Sequence, residues 1–127
     1  MSQVLEVTVP GQPQPKERHR SGKGKAYTPQ KTREAERRGM LFAKAAMRAQ
    51  KVQPFEGACS LSVQFFRKRK VTARPDLDNY VKLVKDFLEK AGAFVVGDEQ
   101  VVTCFAGKFY SEKEETVIVL AEEVRGV

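Results

Sequence analysis

The chain has 127 residues and a mass of 14.3 kDa, enough for one domain of common size and too short for a second substantial core. Hydrophobic residues make up 41% and charged residues 31%, which excludes both a membrane-embedded chain and one too poor in apolar residues to fold. Charge is divided along the chain: residues 1–75 carry 17 Lys and Arg against 5 Glu, net +12, and residues 76–127 carry 6 against 11, net −5.

Val4 to Val9 alternates, with Leu5, Val7 and Val9 on one face, and predicts a first strand. Residues 10–27 hold three prolines, three glycines and many cations, which predicts an exposed, mobile basic loop. Thr28-Pro29 is a helix start, an N-cap hydroxyl followed by proline at the first helical position. From there Ala35, Arg38, Phe42, Ala45, Ala46 and Ala49 trace one helical face, and Pro54 ends the helix near Gln53. Cys59, Leu61, Val63 and Phe65 alternate strictly with small polar residues, the clearest strand in the sequence. After the basic run Arg67-Lys68-Arg69-Lys70 and Arg74-Pro75, the residues Leu77, Val81, Val84, Leu88 and Ala91 form the apolar stripe of a second helix, ended by Gly92. Val101–Tyr110 and 116–120 read as two strands around a polar hairpin loop. The fold class is therefore α+β, a single domain over 1–127 with order β-α-β-α-β-β, a mixed sheet and two helices packed on it.

Cys59 and Cys104 each lie in an alternating apolar stretch and read as buried free thiols, and the lone His19 can hardly complete a zinc site with them. No apolar run approaches the roughly 18 residues of a membrane span, and MSQVLEVTVP lacks a basic segment followed by an apolar one, so neither export nor insertion is expected. Most of Phe65, Phe66, Phe87, Phe94, Phe105 and Phe109 read as packing residues, with one or two left for an intermolecular contact.

All four aspartates, Asp76, Asp78, Asp86 and Asp98, fall in one short stretch after the basic run. Asp76 occupies an N-cap position and Asp78 the first turn, where free N–H groups favour anions; Asp78 and Lys82, four apart, also suit an ordinary surface pair. Against that, Asn79 adds another oxygen, Lys82 lies on the same polar face, and Asp98 follows at a turn beside Gly97. If residues 93–98 run back beside the helix, Asp98 reaches the helix start and completes a three-carboxylate site. Magnesium suits such oxygen ligands: it polarises a phosphate and acidifies a water, while Lys82 stabilises the charge that develops.

The run Asp76-Leu77-Asp78-Asn79-Tyr80-Val81-Lys82, followed by Asp98-Glu99-Gln100-Val101-Val102, resembles the RusA family of Holliday junction resolvases, small DNA endonucleases of bacteria and their phages. The resemblance implies that Asp76, Asp78 and Asp98 are the catalytic, magnesium-binding carboxylates, with manganese as a substitute, and that Lys82 is the essential basic residue. It further implies a homodimer that nicks strands of like polarity symmetrically across a four-way junction, in recombination, repair or phage replication. The setting it implies is the cytoplasm of a bacterial or phage-infected cell, at the nucleoid. Some members have two adjacent aspartates where this chain has Gly97-Asp98, which leaves Glu99 as the alternative third ligand. Lys16, Arg18, Arg20, Arg67, Lys68, Arg69, Lys70 and Arg74 are the expected DNA-binding residues; for the adjacent basic run, proximity to a phosphate-cleaving site outweighs the reading as a solvated strand end.

Two other functions are weighed. A non-catalytic basic protein that holds RNA or DNA gains nothing from acids beside its cations, since they repel phosphate unless a metal intervenes. A small-molecule phosphohydrolase built around DxD needs repeated βα units, which the chain lacks.

Overall fold

A computed structural model describes residues 3–17, 20–22, 25–27 and 30–123, with side chains for 3–17 and 30–123. The period-two segments form the sheet: β1 (Val4–Pro10), β4 (Cys59–Arg67), β5 (Val101–Tyr110) and β6 (Glu115–Glu122). Leu5, Val7, Leu61, Val63, Phe65, Ile118 and Leu120 are all buried, and the register aligns them on one face. The strand order is β1-β6-β4-β5; β4 and β5 are parallel, the other neighbours antiparallel. The parallel pair needs a crossover, and the second helix supplies it. The expected hairpin between the last two strands is corrected: β4 lies between β5 and β6, and the connecting loop folds over its end, where the Ser111 N–H donates to the Arg67 carbonyl at 3.0 Å.

The basic loop is not uniformly irregular. It contains a small hairpin, β2 (Arg20–Gly22) with β3 (Lys25–Tyr27). Before it, Pro13 is buried and the Lys16 N–H donates to Asn79 O at 2.8 Å, so residues 12–17 lie across the second helix. The expected Thr28-Pro29 helix start lies outside the described residues.

Helix α1 (Gln30–Gln50) ends earlier than expected, at Lys51, whose φ of 55° breaks the helical path. Its buried stripe is Thr32, Glu36, Gly39 and Ala43, while Arg38, Ala45 and Ala49 are exposed. Helix α2 (Leu77–Lys90) buries Tyr80, Leu83, Val84, Phe87 and Leu88, with Leu77 and Val81 only partly covered. Each large apolar side chain buried here contributes about 1.5–3 kcal/mol. Gly92, at φ 81°, closes α2 as expected, with Ala93 N–H reaching back to Leu88 O and Gly92 N–H to Glu89 O.

Both helices cover the same sheet face. The opposite face of the β4–β5 pair carries Ser60, Ser62, Gln64, Phe66, Thr103, Phe105, Gly107 and Phe109. Phe66 stacks on Phe109 with ring centroids 5.5 Å apart, and Phe105 is 65% exposed. Phe105 and Phe109 are thus not core residues; Phe65, Phe87 and Phe94 are, joined by Phe55.

Gly39 sets the spacing of the two helices, because a Cβ there would collide with the Phe87 ring. Overpacking a core costs about 1–3 kcal/mol, and Ala for Gly in a helix returns about 1 kcal/mol at most. Gly39→Ala is therefore expected to lower stability by about 1–2 kcal/mol in urea unfolding. Gly57→Ala, where a Cβ meets nothing within 4 Å, should leave the midpoint nearly unchanged.

Candidate active site

The chain enters α2 through Asp76, in extended conformation at φ −63° and ψ 148°. Its carboxylate occupies the N-cap position but makes no capping hydrogen bond. Asp78 and Lys82 are exposed, and no ion pair among the described residues joins them. The ordinary structural uses of these acids, cap and surface pair, are thus not taken up. Helical spacing puts Asp78, Lys82, Lys85, Asp86 and Glu89 on the solvent face of α2, opposite Tyr80, Leu83, Val84 and Phe87.

Asp98 opens a short 3₁₀ turn (Asp98–Gln100) ahead of β5. That turn is pinned by Gln100, whose buried amide accepts from Val96 N–H at 2.7 Å and Gly97 N–H at 3.2 Å. The same amide donates to Phe55 O at 2.8 Å and Gly57 O at 2.9 Å. The glutamine after Asp98 is therefore a clamp on the turn that carries it.

The clamp sets Asp98 beside the second half of α2, not its start. Asp86, Glu89 and Asp98 have carboxylate oxygens within 4.8 Å of one another, the only such trio among the described residues. Asp78 and Asp86 are eight residues apart, about 12 Å along a helix. The expected return of residues 93–98 along the helix is corrected, because β5 makes that return. Lys108, near the end of β5, donates to Pro75 O just before α2. Asp98, ahead of the strand, accordingly lies at the other end. Asp76 and Asp78 on one side and Asp98 on the other are not gathered into one cluster within this chain.

Lys16 bridges part of the gap. Its backbone is tied to Asn79, and its ammonium meets Asp86 at 2.5 Å. That hydrogen bond, outweighing desolvation and helped by the charges of Asp86, Glu36 and Asp98, raises the Lys16 pKa. Expected as a DNA contact, Lys16 is engaged with Asp86. Arg18 and His19 lie outside the described residues, as does the side chain of Arg20.

The arrangement combines unpaired carboxylates, a neighbouring lysine and a basic approach, which is the equipment for metal-assisted phosphodiester hydrolysis. Residues 10–121 match the family of endodeoxyribonuclease RusA. The chain belongs to that family. A shorter stretch of 51 residues is 43% identical to an uncharacterized protein, YqaN, of Bacillus subtilis (strain 168), covering 40% of this chain and 34% of that protein. The RusA family is one of nucleases that cut within DNA strands, in agreement with the resemblance of the Asp76–Lys82 and Asp98–Val102 segments.

In this RusA-family chain the basic run divides in two. Lys68, Arg69, Lys70 and Arg74 are exposed, Lys68 lying 4.0 Å from Glu112 and Arg69 Nη1 donating to Arg74 O at 3.1 Å. Arg67 is not: it is 1% exposed. Its Nη1 donates to Arg74 O at 3.0 Å and to the Tyr80 hydroxyl at 3.1 Å, its Nη2 to Lys70 O at 3.0 Å and Ala73 O at 2.6 Å. The expectation of Arg67 as a DNA contact is corrected, since the inward phase of β4 carries it into the core. Stripping such a buried charge of its partners costs about 3–5 kcal/mol.

The sequence reading passed over Lys108 and expected Cys104 to be buried; β5 turns both toward α2. Lys108 Nζ donates to Ala73 O at 3.2 Å as well as to Pro75 O at 3.3 Å. Cys104 is exposed, not buried, while Cys59 is fully buried; both are free. Partial desolvation raises the Cys104 thiol pKa, Lys85 opposing and Asp78 adding, and burial pushes Cys59 to about 11. A thiol reagent at pH 8 is expected to label Cys104 alone in the native protein, more slowly than a free thiol, and Cys59 only after unfolding. Rapid native labelling of both would contradict this packing.

Proposed function

We propose that this chain is a magnesium-dependent endodeoxyribonuclease that resolves Holliday junctions as a homodimer, by paired symmetrical hydrolysis, in recombination and repair or phage replication. The observation that carries the reading is the uncapped, exposed Asp76 carboxylate with unpaired Asp78 beside it, next to exposed Lys68, Arg69, Lys70 and Arg74. Carboxylates so placed repel DNA unless a cation stands between.

Oxygen donors fit magnesium, which takes one or two carboxylates together with waters and phosphate oxygens. Asp76 and Asp78 are assigned to it; Asp98, beside Asp86 and Glu89, is the third acidic residue of the reading, with Glu99 as its alternative. Bound there, magnesium supplies Lewis-acid polarisation of the phosphate and a water of lowered pKa. The basic residues hold the strand, and Lys82, one turn beyond Asp78, stabilises the negative charge that builds on the phosphate. Water adds to phosphorus, one P–O ester bond breaks, and the departing sugar oxygen takes up a proton.

The homodimer reading is supported by the open sheet face. The face of β4 and β5 turned from the helices carries no Lys or Arg, in a chain with 23 of them. A polyanion has nothing to grip there, whereas Phe66, Phe105 and Phe109 offer apolar area to a second copy. Manganese is expected to replace magnesium.

With a synthetic mobile four-way junction and magnesium, the wild type is expected to make paired symmetrical nicks and to leave linear duplex intact. Asp78→Asn and Asp98→Asn should each lose at least about a hundredfold in cleavage rate, or about 2.7 kcal/mol at 1.36 kcal/mol per tenfold, while still binding the junction. Junction binding by the wild type without cleavage in either metal would leave a basic nucleic-acid-binding protein. An Asp98→Asn variant that cleaves at the wild-type rate would restrict the metal ligands to the helix start. For the interface, Phe105→Glu should shift the protein toward monomer in light scattering; an unchanged dimer would place the contact elsewhere.

A further inference from the structure

We infer that Arg67 and Lys108 are positioning residues for the active site: together they hold the carbonyls of the 70–75 loop and thereby fix where Asp76 and Asp78 stand. This rests on the assignment of Asp76 and Asp78 made above. The loop has little regular structure of its own; one backbone bond, Ala73 N–H to Lys70 O, closes a turn within it. Its carbonyls instead point inward at two cations. Arg67 receives those of Lys70, Val71, Ala73 and Arg74, the Val71 contact being the longest at 3.4 Å. Lys108 receives those of Ala73 and Pro75. Five of the six carbonyls from Lys70 to Pro75 are thus held, and that of Ala73 twice.

Neither cation pairs with a carboxylate among the described residues, and the Arg67 Nε has no hydrogen-bond partner. A buried guanidinium met by backbone dipoles and one hydroxyl, with no carboxylate, is an expensive way to stabilise a loop, and an apolar residue at the end of β4 would fill the core more cheaply. What the arrangement adds is geometry. Pro75, whose carbonyl Lys108 holds, directly precedes Asp76, and Tyr80, whose hydroxyl Arg67 holds, lies in the first turn of α2, two residues after Asp78. The Tyr80 ring is itself stacked on Phe65 of β4 with centroids 4.9 Å apart. The two acids therefore stand between clamped points on either side, both referred to the β4–β5 pair. Since near-attack geometry tolerates only small displacements, a loosened loop should weaken metal capture and slow turnover without weakening the hold on DNA.

The test uses Lys108→Met, Lys108→Arg and Arg67→Lys in the full-length protein, each checked for folding by its thermal transition. Lys108→Met is expected to bind manganese at least about tenfold more weakly by calorimetry and to cleave a four-way junction at least about tenfold more slowly. Its junction affinity, measured in calcium, should stay within about twofold of wild type. Lys108→Arg, which keeps a donor to both carbonyls, should recover part of both losses. Arg67→Lys, whose single ammonium cannot span the four carbonyls and Tyr80, should lose more, with faster amide exchange across 70–75. A folded Lys108→Met with wild-type manganese affinity and cleavage rate overturns the inference, as does loss of stability and junction affinity in proportion to loss of rate. Should Asp78→Asn also cleave at the wild-type rate, the fault lies in the active-site assignment and not in the positioning.

Discussion

Arg67 ends the β4 strand inside the core, and much of what α2 presents to solvent depends on how its charge is met. A guanidinium with no acid beside it must collect dipoles, and the 70–75 segment supplies them by turning its carbonyls inward. The segment is thereby folded back against the strand end, and α2 starts where that fold-back stops. Lys108 does the same from β5. Parallel pairing of β4 with β5 makes this possible, since it sets Phe65 opposite Lys108 and Arg67 opposite Tyr110, so both cations reach the loop from one direction.

The same parallel pairing distributes the carboxylates. The crossover carries the chain along α2 and back along β5. The turn between them, pinned by the Gln100 amide, must lie at the far end of the helix from Asp76. Asp98 therefore joins Asp86 and Glu89, and Lys16 lies along the helix toward them. The solvent face of α2 from Asp78 to Glu89 has Lys82 and Lys85 between its acids, so it is a ridge of mixed charge with carboxylates toward both ends and not a point at its tip.

The strands were legible because burial on one face leaves a period-two mark: Leu5 and Val7, or Cys59 to Phe65, carry no other reading. Helix existence was legible too, from Gly92 and from the stripe in α2. The α1 face was not. Thr32, Glu36 and Gly39 look polar or neutral, yet they are buried because α2 approaches closely. Phe87 occupies the gap that Gly39 leaves, Thr32 Oγ1 accepts the Glu17 N–H at 3.1 Å, and Glu36 pairs with Lys90. Such tertiary compensation has no signature in periodicity. Arg67 misled for the opposite reason: it sits in a run of cations, and only the phase of β4, two residues beyond Phe65, says that it points inward. The last two strands misled because a short polar loop is the same in sequence whether it joins neighbours or steps over a third strand. For the candidate site, the motif named Asp76, Asp78 and Lys82 from spacing, but the partners of Asp98 depend on strand order, which spacing does not encode.

The division of charge in the sequence becomes a division of surfaces. The exposed cations of the 68–74 loop lie beside the start of α2, whereas the open face of the β4–β5 pair has aromatic and small polar side chains and no Lys or Arg. In the proposed reading, a DNA strand drawn to the cations meets the Asp76–Asp78 end of the ridge first. There the balance of forces turns on the counter-ion: without one, the carboxylates push phosphate away over a Debye length of about 8 Å at physiological salt, and with one the same oxygens become its ligands. The Asp86 end is already partly neutralised by Lys16, whereas Asp78 has no ion pair among the described residues. In the proposed reading the end left unneutralised is the end where a divalent cation and a phosphate must arrive together.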